Sequence, residues 1–441
     1  MGRLFGTDGV RGVFGRDLTT DLARELGRAA VVVLSRSGGH RPAFVIGRDT
    51  RGSGALLEDA LLAGIVDAGG DATVAGVVPT PAIAFLTTAL GADSGVVISA
   101  SHNPPQDNGI KLFGSGGIKL PDAVEDAIEA EIGRGSEPGP PGRRLPVPPD
   151  APSYLEHVSA AARARLDGMR VVVDCANGSA SGFAREVLEG LGARVETIHA
   201  DPDGANINVG CGALHPEVVA GAVARSGADA GIAFDGDADR ALFADAGGGV
   251  IDGDQVLAAC AIAMRADGTL TGDTVVTTVM SNVGFHRAMA EHGIRVVSAA
   301  VGDRYVLEQM LEHDAALGGE QSGHVIFRHH ATTGDGLLTA VWFLSLAAER
   351  GVSVSELAAA MRRFPQVLRN VEVPRKDDLG DATGVWEAVR AAESQLDGSG
   401  RVLVRASGTE PLVRVMVEAE TEDLARHHAD TIAEHVASAL G

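Results

Sequence analysis

Strand-like and helix-like segments alternate along most of this chain of 441 residues, and this alternation restricts its fold more than any other feature. Short apolar runs, which predict buried strands, are separated by longer runs with helical periodicity. Strands that alternate with helices form sheets covered by helices on both faces. The sequence therefore predicts an α/β protein with doubly wound sheets. In the first block, strands are predicted at 42–47, 72–77 and 94–99 and helices at 21–34, 54–68 and 79–90.

The alternation returns later in the chain and divides it into blocks. Gly133 to Pro152 is rich in glycine and proline and predicts a linker or a long crossing segment. A chain of this length exceeds a single hydrophobic core. Three blocks of similar size predict related sheets, and a fourth begins near Asn370. The later predicted strands are 169–174, 194–198, 229–234, 274–278, 401–404 and 413–418, and the helices are 153–166, 181–191, 215–226, 255–264, 283–292, 304–312, 386–396 and 421–440.

The charge balance restricts the classes of partner. There are 37 basic and 59 acidic residues, so the net charge is −22, which argues against nucleic acid and acidic membranes. An anionic substrate would need a locally basic cleft. Three widely spaced cysteines (175, 211 and 260) form neither a disulfide framework nor a zinc spacing, and no signal peptide or membrane span is visible. We therefore expect a cytoplasmic protein.

Three carboxylates alternate with small residues in Asp235-Gly236-Asp237-Ala238-Asp239-Arg240, directly after a predicted buried strand. On an extended backbone all three would point the same way, at the strand end where α/β sheets bind ligands. Close carboxylates repel one another unless a cation joins them, and Mg²⁺ prefers oxygen ligands. An EF-hand does not fit, because Arg240 stands where that loop needs glycine. The alternatives are a magnesium site, which we favour, and an acidic surface turn.

Ser101 lies in Ala100-Ser101-His102-Asn103-Pro104-Pro105, at the end of another predicted strand. The two prolines stop regular structure and expose the serine. A serine beside a histidine suggests acyl transfer, but neighbouring side chains point apart on an extended chain, and there is no nucleophile elbow. A polar turn is the competing interpretation. Lys111 follows close to the same loop.

Two later loops carry groups that suit a phosphorylated sugar. Glu320, Ser322 and His324 alternate, so one face of an extended loop would offer an acceptor, a hydroxyl and an imidazole to sugar hydroxyls. The segment 405–411 combines small residues and hydroxyls with Arg405, and Arg414 follows, which is the chemistry of a phosphate cradle. A plain polar loop is the alternative at each position.

Taken together and in this order, five segments closely resemble the α-D-phosphohexomutase family over nearly the whole chain. They are Phe5 to Gly12, Ser99 to Pro104, Asp235 to Arg240, Gly319 to His324 and Arg405 to Pro411. The resemblance implies three related α/β domains with mixed sheets (1–152, 153–252 and 253–368) and a smaller α+β C-terminal domain (369–441) around a central cleft. It also implies a phosphoserine at Ser101, which with Asp235, Asp237 and Asp239 holds Mg²⁺.

The resemblance further assigns roles around that centre. Arg11, His102, Lys111 and Arg240 would line the reaction centre, and Glu320, Ser322 and His324 would bind the sugar. Arg405, Ser407, Gly408, Thr409 and Arg414 would bind the distal phosphate. Within the family, the Ser101, Glu320 and Arg405 loops look like the branch that interconverts glucosamine 6-phosphate and glucosamine 1-phosphate. That implies glucosamine 1,6-bisphosphate as the intermediate and a place in amino-sugar nucleotide synthesis.

Several alternatives stay open at the level of sequence. The substrate could be a glucose or mannose phosphate of the same family. An aspartate-nucleophile phosphatase would phosphorylate Asp235 and leave Ser101 dispensable, and a non-catalytic sugar-phosphate binder would need no phosphoserine. His102, Lys111 and His324 are all candidates for the general base. The partners expected are small sugar phosphates, and a homodimer is one alternative for the oligomeric state.

Overall fold

A six-stranded mixed sheet lies in the first part of the chain, in a computed structural model that describes residues 3–6, 8–134, 140–407 and 411–441. Its elements are β1 (Val10–Val13), α1 (Thr20–Gly38), β2 (Ala43–Arg48), α2 (Gly54–Asp67), β3 (Asp71–Val77), α3 (Thr80–Ala89), β4 (Ser94–Ile98), β5 (Asp107–Gly114), α4 (Asp122–Glu131) and β6 (Arg144–Pro146). The strand order is β1-β5-β4-β2-β3-β6. Strands β2, β3, β4 and β6 run parallel, while β5 is antiparallel to both β1 and β4.

Helices cover both faces of this sheet, so its central strands are buried on both sides. Successive side chains of a strand point to opposite faces. Phe44 and Ile46 of β2 therefore join a core with Leu26 of α1 and Leu61 of α2, while Val45 packs with α3 on the other face. This two-sided burial is what a doubly wound sheet requires.

Two further mixed sheets follow. The second contains α5 (Tyr154–Ala160), β7 (Arg170–Asp174), α6 (Ala184–Gly190), β8 (Arg194–Ile198), α7 (Pro216–Ser226), β9 (Ala230–Phe234), β10 (Ala241–Asp245) and β11 (Val250–Ile251), in the strand order β11-β10-β9-β7-β8. The third contains α8 (Gly253–Ala266), β12 (Thr274–Thr278), α9 (Val283–Glu291), β13 (Arg295–Ala299), α10 (Asp303–Glu312), β14 (Leu317–Gly319), β15 (Val325–Phe327), α11 (Gly336–Arg350) and α12 (Val354–Ala358), in the order β13-β12-β14-β15.

The last sheet is smaller and wholly antiparallel. It contains β16 (Gln366–Glu372), α13 (Thr383–Leu396), β17 (Arg401–Ala406), β18 (Leu412–Glu418) and α14 (Glu422–Leu440), in the strand order β16-β18-β17. By backbone contacts the chain divides into two units, Met1–Met280 with Ile294–Ala360, and Ser281–Gly293 with Met361–Gly441. Helix α9 belongs to the second unit, where the N–H of Val283 donates to Glu418 Oε2 at 2.8 Å.

The predicted fold class is confirmed, since three mixed α/β sheets precede a smaller C-terminal α+β part. The sequence patterns gave no strand range for β1, β5, β6, β10, β11, β13, β14, β15 or β16 and no helix for α4, α11 or α12. Helix α11 is buried almost all round, so it lacks the apolar stripe that marks an amphipathic helix. The segment 133–152 is more than a linker, because β6 within it pairs with β3, and the helix predicted at 153–166 ends at Ala160.

None of the described helices combines the length and the apolarity that crossing a membrane requires.

Candidate active site

Three aspartates converge at a tight turn that follows β9. One carboxylate oxygen from each of Asp235, Asp237 and Asp239 lies within 4.8 Å of the others, and all three residues are buried. The predicted extended backbone is wrong here, since these residues form a turn in which Ala238 has a φ of 56°. The carboxylates meet because the chain curls around them, rather than because alternate residues share a face.

The hydrogen bonds of this cluster leave it with unused acceptors. Asp237 Oδ2 accepts from Thr80 Oγ1 at 2.6 Å and from Lys111 Nζ at 3.0 Å. The other oxygen, Oδ1, is buried and accepts no hydrogen bond from any described residue, and the same holds for Asp239 Oδ1. Burial, reinforced by the other two carboxylates, raises the pKa of Asp235 well above its ordinary value. Buried carboxylate oxygens without donors fit a hard cation such as Mg²⁺.

Ser101 directs its hydroxyl into this cluster. The hydroxyl donates to Asp235 Oδ2 at 2.6 Å, and His102 Nδ1 lies 3.2 Å from Ser101 Oγ itself. The expectation that the two neighbouring side chains point apart is wrong, because Ser101 has a φ of 50° rather than an extended conformation. Such a left-handed backbone costs free energy for a residue other than glycine and persists only where the surroundings impose it. Gly236 permits the close approach, since a Cβ there would lie 2.6 Å from the Ser101 carbonyl oxygen.

Arg51 holds the serine loop in this conformation, although it was not among the predicted site residues. Its side chain is fully buried and pairs with Asp49 at 2.9 Å. Its two terminal nitrogens donate to four backbone carbonyls of the loop, at Ser101 (2.9 Å), Asn103 (2.7 Å), Asp107 (2.9 Å) and Pro104. A planar guanidinium can span several acceptors at once, as few other side chains can. The available signal was a polar run, Arg48 to Arg51, at the end of a predicted strand.

Asn208, in the connection between β8 and α7, holds the same loop. Its side-chain nitrogen donates to the carbonyls of Ser101 at 2.8 Å and Asn103 at 3.0 Å. The Ser101 N–H is also bound, to Ser99 Oγ at 2.9 Å, and Ser99 donates in turn to Asp49 Oδ2 at 2.6 Å. No local pattern in the sequence marks Asn208, because its partners lie more than a hundred residues away.

Beside the aspartate cluster, Asp8 contacts three positively charged side chains. This carboxylate contacts Lys111 Nζ at 3.2 Å and pairs with Arg11 and Lys119, and Lys119 also contacts Asp303 at 2.6 Å. Burial raises the pKa of Asp8, but its three cationic partners hold that pKa well below the ordinary value. Burial lowers the pKa of Lys111, but Asp237 and Asp8 together hold it above its usual range. Lys111 is therefore a fixed positive charge.

Arg240 and His102 complete the centre. The N–H of Arg240 donates to Asp235 Oδ1 at 3.2 Å, and its Nε lies 3.8 Å from Asp239 Oδ1. Burial, together with the charges of Arg240 and Arg11, lowers the pKa of His102 to about 4. At neutral pH the imidazole of His102 is therefore uncharged.

The prediction that Glu320, Ser322 and His324 share one face of an extended loop is wrong. They form a tight turn closed by a hydrogen bond from Glu320 N to His324 O of 2.9 Å. Glu320 accepts from the N–H of Gly302 at 3.1 Å, and Ser322 Oγ lies 3.5 Å from Glu320. His324 is buried instead, with Nδ1 3.6 Å from Asp239 Oδ2.

The proton of His324 is fixed by a backbone contact. The N–H of Gly334 donates to His324 Nε2 at 3.0 Å, so Nε2 keeps its lone pair and Nδ1 carries the proton. Burial lowers the pKa of this imidazole, while Asp239, Asp303 and Glu320 raise it, with a net increase. The donated hydrogen bond nonetheless favours the neutral ring, because a doubly protonated ring has no acceptor.

The C-terminal unit presents two arginines on adjacent strands. Arg405 of β17 is exposed and stands directly opposite Arg414 of β18. Ser407 is buried, and its carbonyl oxygen accepts from Lys376 Nζ at 2.7 Å. Gly408 and Thr409, also predicted to bind phosphate, lie outside the described residues.

Comparison with known proteins finds similarity along nearly the whole chain. Sequence models of the phosphoglucomutase/phosphomannomutase family match in order, with alpha/beta/alpha domain I at residues 2–138, domain II at 152–248, domain III at 252–364 and the C-terminal domain at 368–435. A phosphoglucosamine mutase of Frankia alni is 53% identical over 451 aligned residues, covering 100% of this chain and 99% of that protein.

Two solved structures support the same fold. A phosphoglucomutase/phosphomannomutase family protein of Burkholderia thailandensis has a TM-score of 0.82 and 27% identity, covering 99% of this chain and 97% of that one. An N-acetylphosphoglucosamine mutase of Aspergillus fumigatus, in complex with GlcNAc-6P and magnesium, has a TM-score of 0.72 at 18% identity, covering 99% and 96%. At that identity the second likeness concerns the fold alone.

Proposed function

This chain belongs to the phosphoglucomutase/phosphomannomutase family and is accordingly an isomerase that moves a phosphoryl group within a sugar phosphate, and we propose that it interconverts glucosamine 6-phosphate and glucosamine 1-phosphate. The observation that carries the chemistry is the Ser101 hydroxyl, 2.6 Å from Asp235 within the aspartate cluster. The choice of amino sugar rests on relatives named phosphoglucosamine mutase, such as that of Acidothermus cellulolyticus at 53% identity over the full chain. The product would supply amino-sugar nucleotide synthesis.

Ser101 is the phosphoryl carrier in this proposal. The phosphoserine P–O bond breaks as a substrate hydroxyl oxygen forms its own bond to phosphorus, which yields glucosamine 1,6-bisphosphate and free Ser101. The bisphosphate then turns over, and Ser101 Oγ takes its other phosphoryl group. Phosphoryl transfer needs positioning and charge stabilisation more than covalent assistance. The loop that Arg51 and Asn208 hold provides the positioning.

Asp235, Asp237 and Asp239 would hold Mg²⁺, together with an oxygen of the phosphorylated Ser101. When bound, the ion supplies positive charge beside the transferring group. Lys111 and Arg240 add fixed charges on the same side, and Arg11 lies within the same network through Asp8. Together these cations overcome the repulsion that a protein of net charge −22 exerts on an anionic substrate.

The sugar and the phosphate that does not react would be bound elsewhere. Glu320 and the half-buried Ser322 carry oxygens that suit sugar hydroxyls, while His324 would act from its buried position beside Asp239. Arg405 and Arg414, with Ser407, Gly408 and Thr409, would bind the distal phosphate. This anchor has to accept either phosphate, because the bisphosphate binds in two orientations.

Among the three candidates for the general base, the contacts favour His102. Lys111 Nζ is held between two carboxylates and stays charged, and His324 Nε2 is occupied by a backbone donor. His102 is uncharged, and its Nδ1 lies 3.2 Å from Ser101 Oγ, so it can exchange a proton with this oxygen as the bond between Oγ and phosphorus breaks and forms.

Parallel turnover assays test the proposed substrate. Purified protein with Mg²⁺ and a trace of the matching bisphosphate should convert glucosamine 6-phosphate with a higher kcat/KM than glucose or mannose 6-phosphate. A higher kcat/KM for glucose 6-phosphate or mannose 6-phosphate would show that the proposed substrate is wrong, but it would leave the phosphoryl transfer common to the family in place. Hydrolysis without isomerisation, with phosphate on Asp235, would support the phosphatase alternative instead.

We also propose the four-domain division at residues 152/153, 252/253 and 368/369, and a cytoplasmic location for the protein. The location is consistent with three cysteines that are all buried and free. Sugar phosphates, rather than nucleic acid or membranes, are the partners that the acidic composition favours.

A further inference from the structure

We propose that Asp174, His199 and Cys211 form a second cation site, distinct from the aspartate cluster and suited to Zn²⁺. Asp174 ends β7, His199 directly follows β8, and Cys211 directly precedes a short 3₁₀ turn at 212–214. Because β7 and β8 are parallel neighbours, their carboxyl ends lie at one edge of the second sheet. One ligand atom from each residue lies within 4.8 Å of the other two.

The contact between His199 and Asp174 supports a shared cation. His199 Nδ1 lies 3.1 Å from Asp174 Oδ2, yet this buried nitrogen forms no hydrogen bond with any residue that the structure describes. Asp174 meanwhile accepts from two backbone N–H groups, Ala176 at 2.9 Å and Gly212 at 3.0 Å. Two ligands of a tetrahedral zinc ion, bonded at about 2.0–2.1 Å, stand roughly 3.3 Å apart, close to the separation observed.

The donor atoms decide which ion fits. An imidazole nitrogen, a thiolate sulfur and a carboxylate oxygen are a typical zinc set, whereas Mg²⁺ prefers oxygen ligands alone. Asp174 and Cys211 are fully buried, while the side chain of His199 is 35% exposed. A nucleophilic role for Cys211 fits less well, because its sulfur is closed to a substrate.

The site would tether the loop that contacts the serine. The segment 199–211 leaves the cluster at His199 and returns to it at Cys211, and it carries Asn208 between them. The N–H of Asn208 donates to Ala176 O at 2.9 Å, and its side chain donates to the carbonyls of Ser101 and Asn103. The ion would thus be structural, and it would stabilise a positioning residue of the proposed reaction. Only this last link rests on the proposed function.

Cobalt titration of the full-length protein tests the site directly. The protein is stripped with a chelator and saturated with Mg²⁺ to occupy the aspartate cluster, and Co²⁺ is then added as a spectroscopic substitute for Zn²⁺. A thiolate ligand gives a sulfur-to-cobalt charge-transfer band that carboxylates cannot produce. We expect one equivalent of this band, its loss in Cys211→Ser, and a fall in affinity of at least about tenfold in His199→Ala.

Controls separate the site from the other thiols and from misfolding. Cys260→Ser removes a buried thiol of α8 and should keep the band. His199→Ala changes a partly exposed side chain, and its thermal unfolding in the absence of Co²⁺ should match the unmodified protein. The absence of a thiolate band, or a band that survives in Cys211→Ser, would overturn the proposal. Mutase activity is measured separately, so a wrong substrate assignment leaves the band in place.

Discussion

The Ser101 centre and the Arg405–Arg414 strand pair both carry groups suited to phosphate, but they are built in opposite ways. Ser101 is 1% exposed, and every polar group of its loop named above has a buried partner. Arg405 is exposed on the surface of an antiparallel sheet, opposite another arginine. A group that reacts has to be held rigidly in one geometry, whereas a group that anchors has to remain accessible to a ligand that arrives in two orientations.

The largest effect is expected from Ser101→Ala, which removes the oxygen that would carry the phosphoryl group. Mutase activity should fall by more than about 10³-fold, the scale at which loss of a covalent nucleophile acts, while thermal stability is kept. Intact mass should show that the phosphorylated species disappears. Ser115→Ala, at an exposed serine of the same domain, is the matched control and should keep both activity and phosphorylation. Activity of Ser101→Ala at the normal rate with bisphosphate supplied would refute the assignment.

Asp237→Asn tests whether the three carboxylates share one ion. The substitution weakens a ligand, and it also removes a charge that holds Lys111. The Mg²⁺ concentration for half-maximal activity should rise at least about tenfold, and kcat/KM should fall about a hundredfold, or about 2.7 kcal/mol. Asp150→Asn, an exposed carboxylate outside the cluster, controls for the change in net charge. Identical Mg²⁺ titration curves for the Asn variants of all three aspartates would contradict the site.

Arg405→Ala tests whether the exposed Arg405–Arg414 strand pair binds phosphate. A charge-assisted contact to phosphate is worth about 1.5–3 kcal/mol, so kcat/KM should fall by roughly tenfold to a few hundredfold. Phosphorylation of Ser101 and binding of Mg²⁺ should be nearly unchanged. Arg369→Ala removes a half-buried arginine of the same sheet, which is paired with Asp430, and should have little effect. A normal kcat/KM in Arg405→Ala would mean that this strand pair binds no phosphate.

Arg51→Lys is a smaller change, and it tests whether the Ser101 loop has to be held rigidly. Lysine keeps the charge beside Asp49 but cannot span the carbonyls of the serine loop. Losing two or three hydrogen bonds of about 0.5–1.5 kcal/mol each should lower kcat by at least about fivefold, with a smaller change in KM. Arg48→Lys is the control, since Arg48 contacts Glu58 and not the serine loop. An equal loss in both variants would point to general destabilisation of this strand end.

The parts of the site that sequence predicted are those that lie close together in the chain. Asp235, Asp237 and Asp239 occupy five consecutive positions, so their convergence is local even though its cause is a turn rather than an extended strand. The strand ends that carry Ser101 and the aspartates also followed from the alternation of strands and helices. Helix α11 was missed because its uniformly apolar sequence has no period to detect.

The parts that sequence missed depend on tertiary contacts. Arg51, Thr80 and Asn208 each contact a loop of the site that is 50 or more residues distant in the chain, and no spacing in the sequence encodes those contacts. The position of His102 beside the serine hydroxyl follows from a positive φ at Ser101, which those contacts impose. Local pattern therefore predicts which groups carry the chemistry, and long-range packing decides how they face one another.

The distances in sequence between Ser101 and its partners also have a consequence for synthesis on the ribosome. Arg51 precedes the serine by 50 residues, but Asn208 and Asp235 follow it by 107 and 134. At about 5–20 residues per second, the nascent chain carries Ser101 for roughly 7 to 27 seconds before Asp235 is made. The first sheet can form in that interval, but the serine cannot meet its acidic neighbours. A chain that ends before residue 200 should therefore fold its first sheet and yet contain no phosphoserine by intact mass, so the protein becomes competent for modification only late in its own translation.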